Sequence, residues 1–160
     1  MAAIEAGIVS LDIRQWEIAE EIWSLQHHAY RVEAALIGVA DLPPLLDTVK
    51  DLQACKETFW GYRDKDGDLI GVVSYQQDKV GFYSICRMMV HPNYFRQGIG
   101  SLLMAYILNQ RNDVTPTWSV TAEIRNLPAI HMYKRFGFEL AETFKPVQGI
   151  QMVSLVRPPC

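Results

Sequence analysis

The sequence predicts a mixed α/β fold, a mostly antiparallel central sheet of about six or seven strands flanked by about four helices. Three observations carry this reading. Apolar residues near the start recur at helical steps, at Ile18, Ile22, Leu25, Ala29 and Val32. Three β-rich runs then follow one another around the turn pair Asp66-Gly67. Beyond them, strand-like and helix-like stretches alternate to the end of the chain. With 160 residues, 49% hydrophobic and 21% charged, the chain suits a single domain spanning residues 1–160 with a sizeable core.

Taken in order, Ile8 to Ile13 alternates and opens the sheet. The helical spacing runs from Gln15 to about Val32, with Trp16 and Trp23 on a neighbouring stripe. Asp41-Leu-Pro-Pro breaks that run, and Leu45 to Leu52 reads as a second helix, giving an αα-hairpin. TFWGYRDKDGDLIGVVSYQQD is a β-hairpin, because Asp-Gly supplies the positive φ of a tight turn. Gly81 to Val90 is the third strand of this meander. A helical face of Ile99, Leu102, Leu103, Tyr106 and Ile107 ends near Asn109 to Asp113, and Thr117 to Ile124 alternates as a strand. In NLPAIHMYKRFGF, Asn126 can cap a helix, Pro128 fits its first turn and Gly137 its left-handed end. Glu139 to Phe144 and Ile150 to Val156 are strands separated by Pro146 and Gly149.

Composition excludes several classes. A net charge of −3 lacks the basic stripe on which a phosphate-backbone binder depends, so no nucleic acid is expected. Cys55, Cys86 and Cys160 are widely spaced and outside any CxxC arrangement, which suggests neither disulfides nor zinc. His27 and His28 are neighbours that point to different faces, so they do not form a metal-binding pair, and no metal is expected. The start of the chain lacks a basic segment followed by an apolar core, and no apolar run is long enough for a membrane. These features predict a cytoplasmic protein. Trp16, Trp23, Trp60 and Trp118 are expected in the core, Cys86 faces inward, and Arg63-Asp64-Lys65-Asp66 forms a solvated hairpin tip.

The informative stretch is HPNYFRQGIGSLL, in which two glycines stand at the start of a leucine-rich helix. Glycine weakens helices, so its use here points to an anion site, where unpaired amides and the helix dipole meet a phosphate with no Cβ in the way. A simple bend with close helix–strand packing is the alternative. The GxxxxGK[ST] loop is absent, and GxGxxG fails at Leu103, its third position.

VHPNYFRQGIGSLL, followed one strand later by NLPAIHMYKRFGF, resembles the GNAT superfamily of N-acetyltransferases, whose loop reads [Q/R]xxGx[G/A]. Two positions depart from the pattern. Phe95 takes the leading Gln/Arg place, with the arginine one residue later at Arg96, and Arg87 stands where many relatives carry a glutamate. The resemblance implies acetyl-CoA as cofactor, its diphosphate on the amides of Arg96, Gln97, Gly98, Ile99, Gly100 and Ser101. The pantetheine arm would run beside Met88, Met89 and Val90, with a main-chain amide near Val90 polarising the thioester carbonyl.

By the same resemblance Tyr133 is the general acid toward the departing thiolate, and Asn126 adds a hydrogen bond to the pantetheine arm. Packing on Phe136 and Phe138, and helix capping, are the structural alternatives for these two. Glu123 is the substitute base, with His91 or a water chain as the other options. The expected acceptor is a primary amine of a small molecule or peptide, bordered by Trp23, His27, Tyr30 and Glu33, and attacked directly in a ternary complex. A non-catalytic acyl-CoA-binding module is the alternative function, and a homodimer through the C-terminal strands is the expected assembly.

Overall fold

A computed structural model describes residues 7–38, 46–110 and 115–159. In chain order the elements are β1 (Ile8–Leu11), α1 (Trp16–Ile37), α2 (Val49–Ala54), β2 (Thr58–Arg63), β3 (Leu69–Lys79) and β4 (Phe82–Val90). A 3-10 turn (Pro92–Tyr94), α3 (Ile99–Leu108), β5 (Thr117–Glu123), α4 (Leu127–Arg135), β6 (Glu139–Val147) and β7 (Ile150–Arg157) complete it. The strands form one sheet in the order β1-β2-β3-β4-β5-β7-β6. Every neighbouring pair is antiparallel except β4 and β5.

Helices cover both faces of the sheet. On one face Leu103, Met104 and Ile107 of α3 and Ile130 of α4 pack on Val73, Trp118, Val120 and Leu155. On the other, Ile22 and Leu25 of α1 and Leu52 of α2 pack on Leu11, Phe59, Val72 and Met89. β3 lies between these layers, which explains its unbroken burial from Leu69 to Tyr75 where a one-sided strand would alternate.

Differences from the sequence reading have local causes. α1 continues past Val32 to Ile37 because Ala34 and Ile37 find a small core of their own with Ile150, and it closes at Gly38 with φ 78°. Among the described residues α2 starts at Val49, fixed by a reciprocal Thr48–Asp51 capping box, while Leu45, where the sequence reading began it, lies outside them. The Asp41-Leu-Pro-Pro break lies outside the described residues. β6 runs through Pro146, which an outermost strand tolerates because its outward amides have no sheet partner.

Trp118 is buried as expected, but Trp16 is 47% exposed, since it opens α1 before the helix meets the sheet. The hairpin tip is solvated at Lys65 and Asp66 as expected, while Arg63 and Asp64 beside it are also held by hydrogen bonds. The Arg63 guanidinium holds Glu21 at 2.8 Å and the Gly67 carbonyl at 2.8 Å, and the Tyr94 hydroxyl donates to Asp64 at 3.1 Å. Cys86 is exposed rather than inward-facing. Register explains it: Ser74 opposes Arg87 while the next residue, Tyr75, opposes Ile85, so Cys86 is the extra residue of a β-bulge.

Candidate active site

That bulge shapes the site. β4 and β5 pair only from Phe82↔Thr117 to Ser84↔Ser119, and the bulge falls immediately after, bending β4 away from its neighbour. Past this point β4 has an open edge. The His91 N–H donates to the Ile70 carbonyl at 2.8 Å across β3, and main-chain direction alternates along a strand, so Met88 and Val90 turn their N–H and C=O groups toward the opening. The Tyr30 hydroxyl is hydrogen-bonded to the Met88 main chain, and burial raises its pKa well above the ordinary tyrosine value.

At the end of this edge the chain makes a tight turn into α3. Arg96 (φ 63°) and Gly98 (φ 79°) both adopt the left-handed conformation, which a non-glycine residue visits at a cost. The first helical hydrogen bond runs from the Leu102 N–H to the Gly98 carbonyl at 2.9 Å, so the amides of Ile99, Gly100 and Ser101 precede the helical ladder. Gly100 serves close packing: a Cβ there would stand 3.3 Å from Met132 Sδ and 3.8 Å from Val90 Cγ2.

A cleft of about 730 Å³ joins the open edge to this turn. Of the expected cofactor residues, Met88, Met89, Val90, Arg96, Gly98, Ile99, Gly100, Ser101 and Asn126 line it together. Two expected cofactor residues lie outside the lining: Gln97, which is exposed, and Tyr133, which is buried behind the cleft wall. Arg135 and His131 of α4 add cationic or hydrogen-bonding side chains to the same wall, and Phe95, 44% exposed, adds an apolar one. Amides at a helix start beside Arg96 and Arg135 suit a diphosphate, so the residues present fit CoA.

Tyr133 is 5% exposed, with its ring 5.9 Å from Phe138, so the packing role exists whatever else it does. Burial, then the nearby Glu33 charge, raises its pKa, and the hydroxyl keeps its proton. Asn126 combines roles: Oδ1 accepts from the Ala129 N–H at 3.4 Å as the α4 cap, and Nδ2 donates to Glu33 Oε1.

The carboxylate chosen as base is not brought to the cleft. Glu123 lies outside the cleft lining and accepts hydrogen bonds from the Arg125 guanidinium and main-chain N–H and from the Gln151 N–H, so its lone pairs are already committed. The Arg125 side chain holds its carboxyl below the ordinary glutamate value. His91 is likewise used locally, its Nδ1 accepting from the Asn93 N–H at 3.1 Å. The acid that does line the cleft is Glu33, half-buried on α1. Sequence reasoning placed it only on the border of the acceptor site. Its signal was the helical row Ala29, Tyr30, Glu33 and Leu36, all of which line the cleft.

Arg87 is not among the residues that line the cleft and is engaged elsewhere. Nε and Nη2 hold Glu57 at 2.8 and 3.1 Å, and Nη1 reaches Gln26 and Asp47, both at 2.8 Å. It thereby ties α1, the entry to α2 and the start of β2 to the sheet.

The acetyltransferase (GNAT) family matches residues 11–138. The chain is 43% identical over 140 residues to the UPF0157 protein YqkA of Bacillus subtilis (strain 168), an overlap of 88% of this chain and 40% of that protein. It is 31% identical over 94 residues to the peptidyl-lysine N-acetyltransferase YiaC of Escherichia coli (strain K12), 59% of this chain and 58% of that one. The matched regions thus span less than two thirds of either relative. In fold, the chain is similar to the ribosomal-protein-S18-alanine N-acetyltransferase from Escherichia coli (TM-score 0.74, 17% identity, covering 95% of this chain and 92% of that one). It is also similar to an acetyltransferase from Thermus thermophilus (TM-score 0.73, 16% identity, covering 94% of this chain and 96% of that one). No helix among the described residues is long and apolar enough to cross a membrane. With its seven-stranded sheet, its amide-rich turn into α3 and a match over most of its length, the chain belongs to the acetyltransferase (GNAT) family.

Proposed function

We propose that this domain, taken as residues 1–160 of a cytoplasmic protein, transfers an acetyl group from acetyl-CoA to a primary amine of a small molecule or peptide. Attack is direct, within a ternary complex. The observation that carries the reading is the open β4 edge, with the Met88 and Val90 main chain facing a cleft that ends on the amides before α3. When bound, acetyl-CoA supplies a thioester that an amine can attack.

The protein's part is binding, orientation and proton movement. The turn from Arg96 to Ser101 grips the diphosphate through its amides, assisted by the Arg96 charge. The Val90 N–H is directed at the open edge, where it donates to the thioester oxygen as negative charge grows there. The Tyr133 hydroxyl, kept protonated by burial, gives its proton to the sulfur. The relatives named above as acting on peptidyl-lysine and on a protein alanine support an amine acceptor on a peptide. The non-catalytic acyl-CoA module draws support from the commitment of Glu123 to Arg125. Thiol release from acetyl-CoA in the presence of amines separates the two readings.

Calorimetric titration with CoA tests the shared foundation. Gly98→Val puts a β-branched residue at φ 79°, a strain of about 1–2 kcal/mol, and distorts the amide array. CoA is expected to bind about tenfold more weakly or worse. An unchanged dissociation constant in the folded variant would remove the loop from the binding site. Arg96→Gly separates backbone from charge: relief of the left-handed strain keeps or raises stability, whereas CoA affinity falls and loses part of its dependence on salt.

A further inference from the structure

We propose that Glu33 is the group that receives the acceptor amine in the cleft and accepts its proton, an assignment that rests on the acetyl-transfer reading. The placement is specific. Glu33 lines the same cleft as Val90 and Ser101, and it is the acid among the lining residues. Its Oε1 is held by Asn126 Nδ2, whose own position is fixed because Oδ1 caps α4. One carboxylate oxygen is thus anchored and the side chain is oriented, while Oε2 has no protein donor among the described residues. A single ammonium group suits that oxygen in both charge and hydrogen-bonding sense.

The surroundings suit a proton acceptor. Burial, reinforced by the Glu123 charge, raises the Glu33 pKa above the ordinary glutamate value against the opposing Asn126 hydrogen bond. The polar and titratable groups around it are the hydroxyls of Tyr30 on α1 and Tyr133 on α4, the Asn126 amide and, behind it, Glu123 of β5. Arg96, His131 and Arg135 lie on the cleft wall. No lysine or arginine pairs with Glu33 among the described residues, in contrast to Glu57 and Glu123. Its carboxylate therefore keeps the basicity that those two have lost.

The proton balance is simple. The acceptor ammonium loses one proton to Glu33, which releases it to solvent, and the free amine forms the C–N bond as the C–S bond breaks. The sulfur takes the Tyr133 proton, and the second proton of the attacking nitrogen restores the tyrosine through solvent. One proton is released per acetyl group transferred.

Glu33→Gln is the test, because glutamine is nearly isosteric and its carbonyl still accepts from Asn126. The expected results are unchanged CoA affinity and a kcat/KM lower by about 10²-fold, measured with acetyl-CoA and, as acceptors, leucine amide and a lysine-containing peptide. The acid limb of the wild-type pH profile disappears in the variant, and Glu33→Asp keeps the limb at reduced rate. A readout independent of turnover is carbon NMR of the glutamate carboxyls in the free protein, in which one resonance titrates above the ordinary glutamate range and is missing from Glu33→Gln. Wild-type turnover that persists in Glu33→Gln with the same acid limb overturns this assignment and leaves acetyl transfer standing. Absence of wild-type turnover with every amine overturns the broader reading instead, and an ordinary titration for Glu33 overturns the assignment in either case.

Discussion

Replacing Arg87 with methionine is expected to lower the free energy of unfolding by about 3–5 kcal/mol, read from urea denaturation. The side chains of Arg87 and Glu57 are 13% and 11% exposed, so neither charge is well solvated, and each is accepted in the interior only because the other is there. Removing the guanidinium leaves Glu57 with the Ser74 hydroxyl at 2.6 Å and the weakly donating Cys55 thiol, and Asp47 loses a partner at 2.8 Å. Burial alone would raise the Glu57 carboxyl, but hydrogen bonds from Arg87 and Ser74 outweigh it and hold the folded pKa below the ordinary value. In the wild type this contribution is therefore fully present above the unfolded value of about 4.3 and is lost as pH falls through the lower folded value.

In the variant the sign reverses, because burial then dominates and raises the Glu57 pKa. The stability deficit should grow between about pH 4 and pH 7. Adding Glu57→Gln should recover much of it, and a double variant no more stable than the single one would refute the pairing argument.

Tyr133→Phe should reduce kcat by about 10²–10⁴-fold while leaving CoA affinity and stability nearly unchanged. The ring's contact with Phe138 and its place in the core survive the change, so only the hydroxyl is tested. Stopped-flow measurement of the chemical step, with thiol release as the signal, checks this. A loss confined to stability would assign Tyr133 to packing alone.

The sheet and its helices were legible because their signals are local. Asp66-Gly67 announces a hairpin by itself, and Asn126 and Gly137 mark the two ends of α4 at the positions the structure uses. The turn into α3 was legible for the same reason, since Gly98 and Gly100 have no helical justification. Roles decided across the sheet were not. Glu123 reads as an available carboxylate until Arg125 and the Gln151 amide of β7 are seen to occupy it. Glu33 reads as one more acid on an amphipathic helix until Asn126, far along the chain, is found holding it. Trp16 and Cys86 failed differently. Apolar character predicts burial only if the element is already against the core, and the inward position expected of Cys86 is what a bulge changes.

The extra position at Cys86 has an implication for how such a cavity can be won or lost. Because one supernumerary residue separates the paired stretch of β4 from its free stretch, excision of a single codon there would bring both stretches into one phase and let β5 zip along its neighbour. The product would be a better-sealed sheet without the gap beside Met88 and Val90, so the room that the proposed acetyl transfer calls for comes from an imperfection that greater regularity would erase.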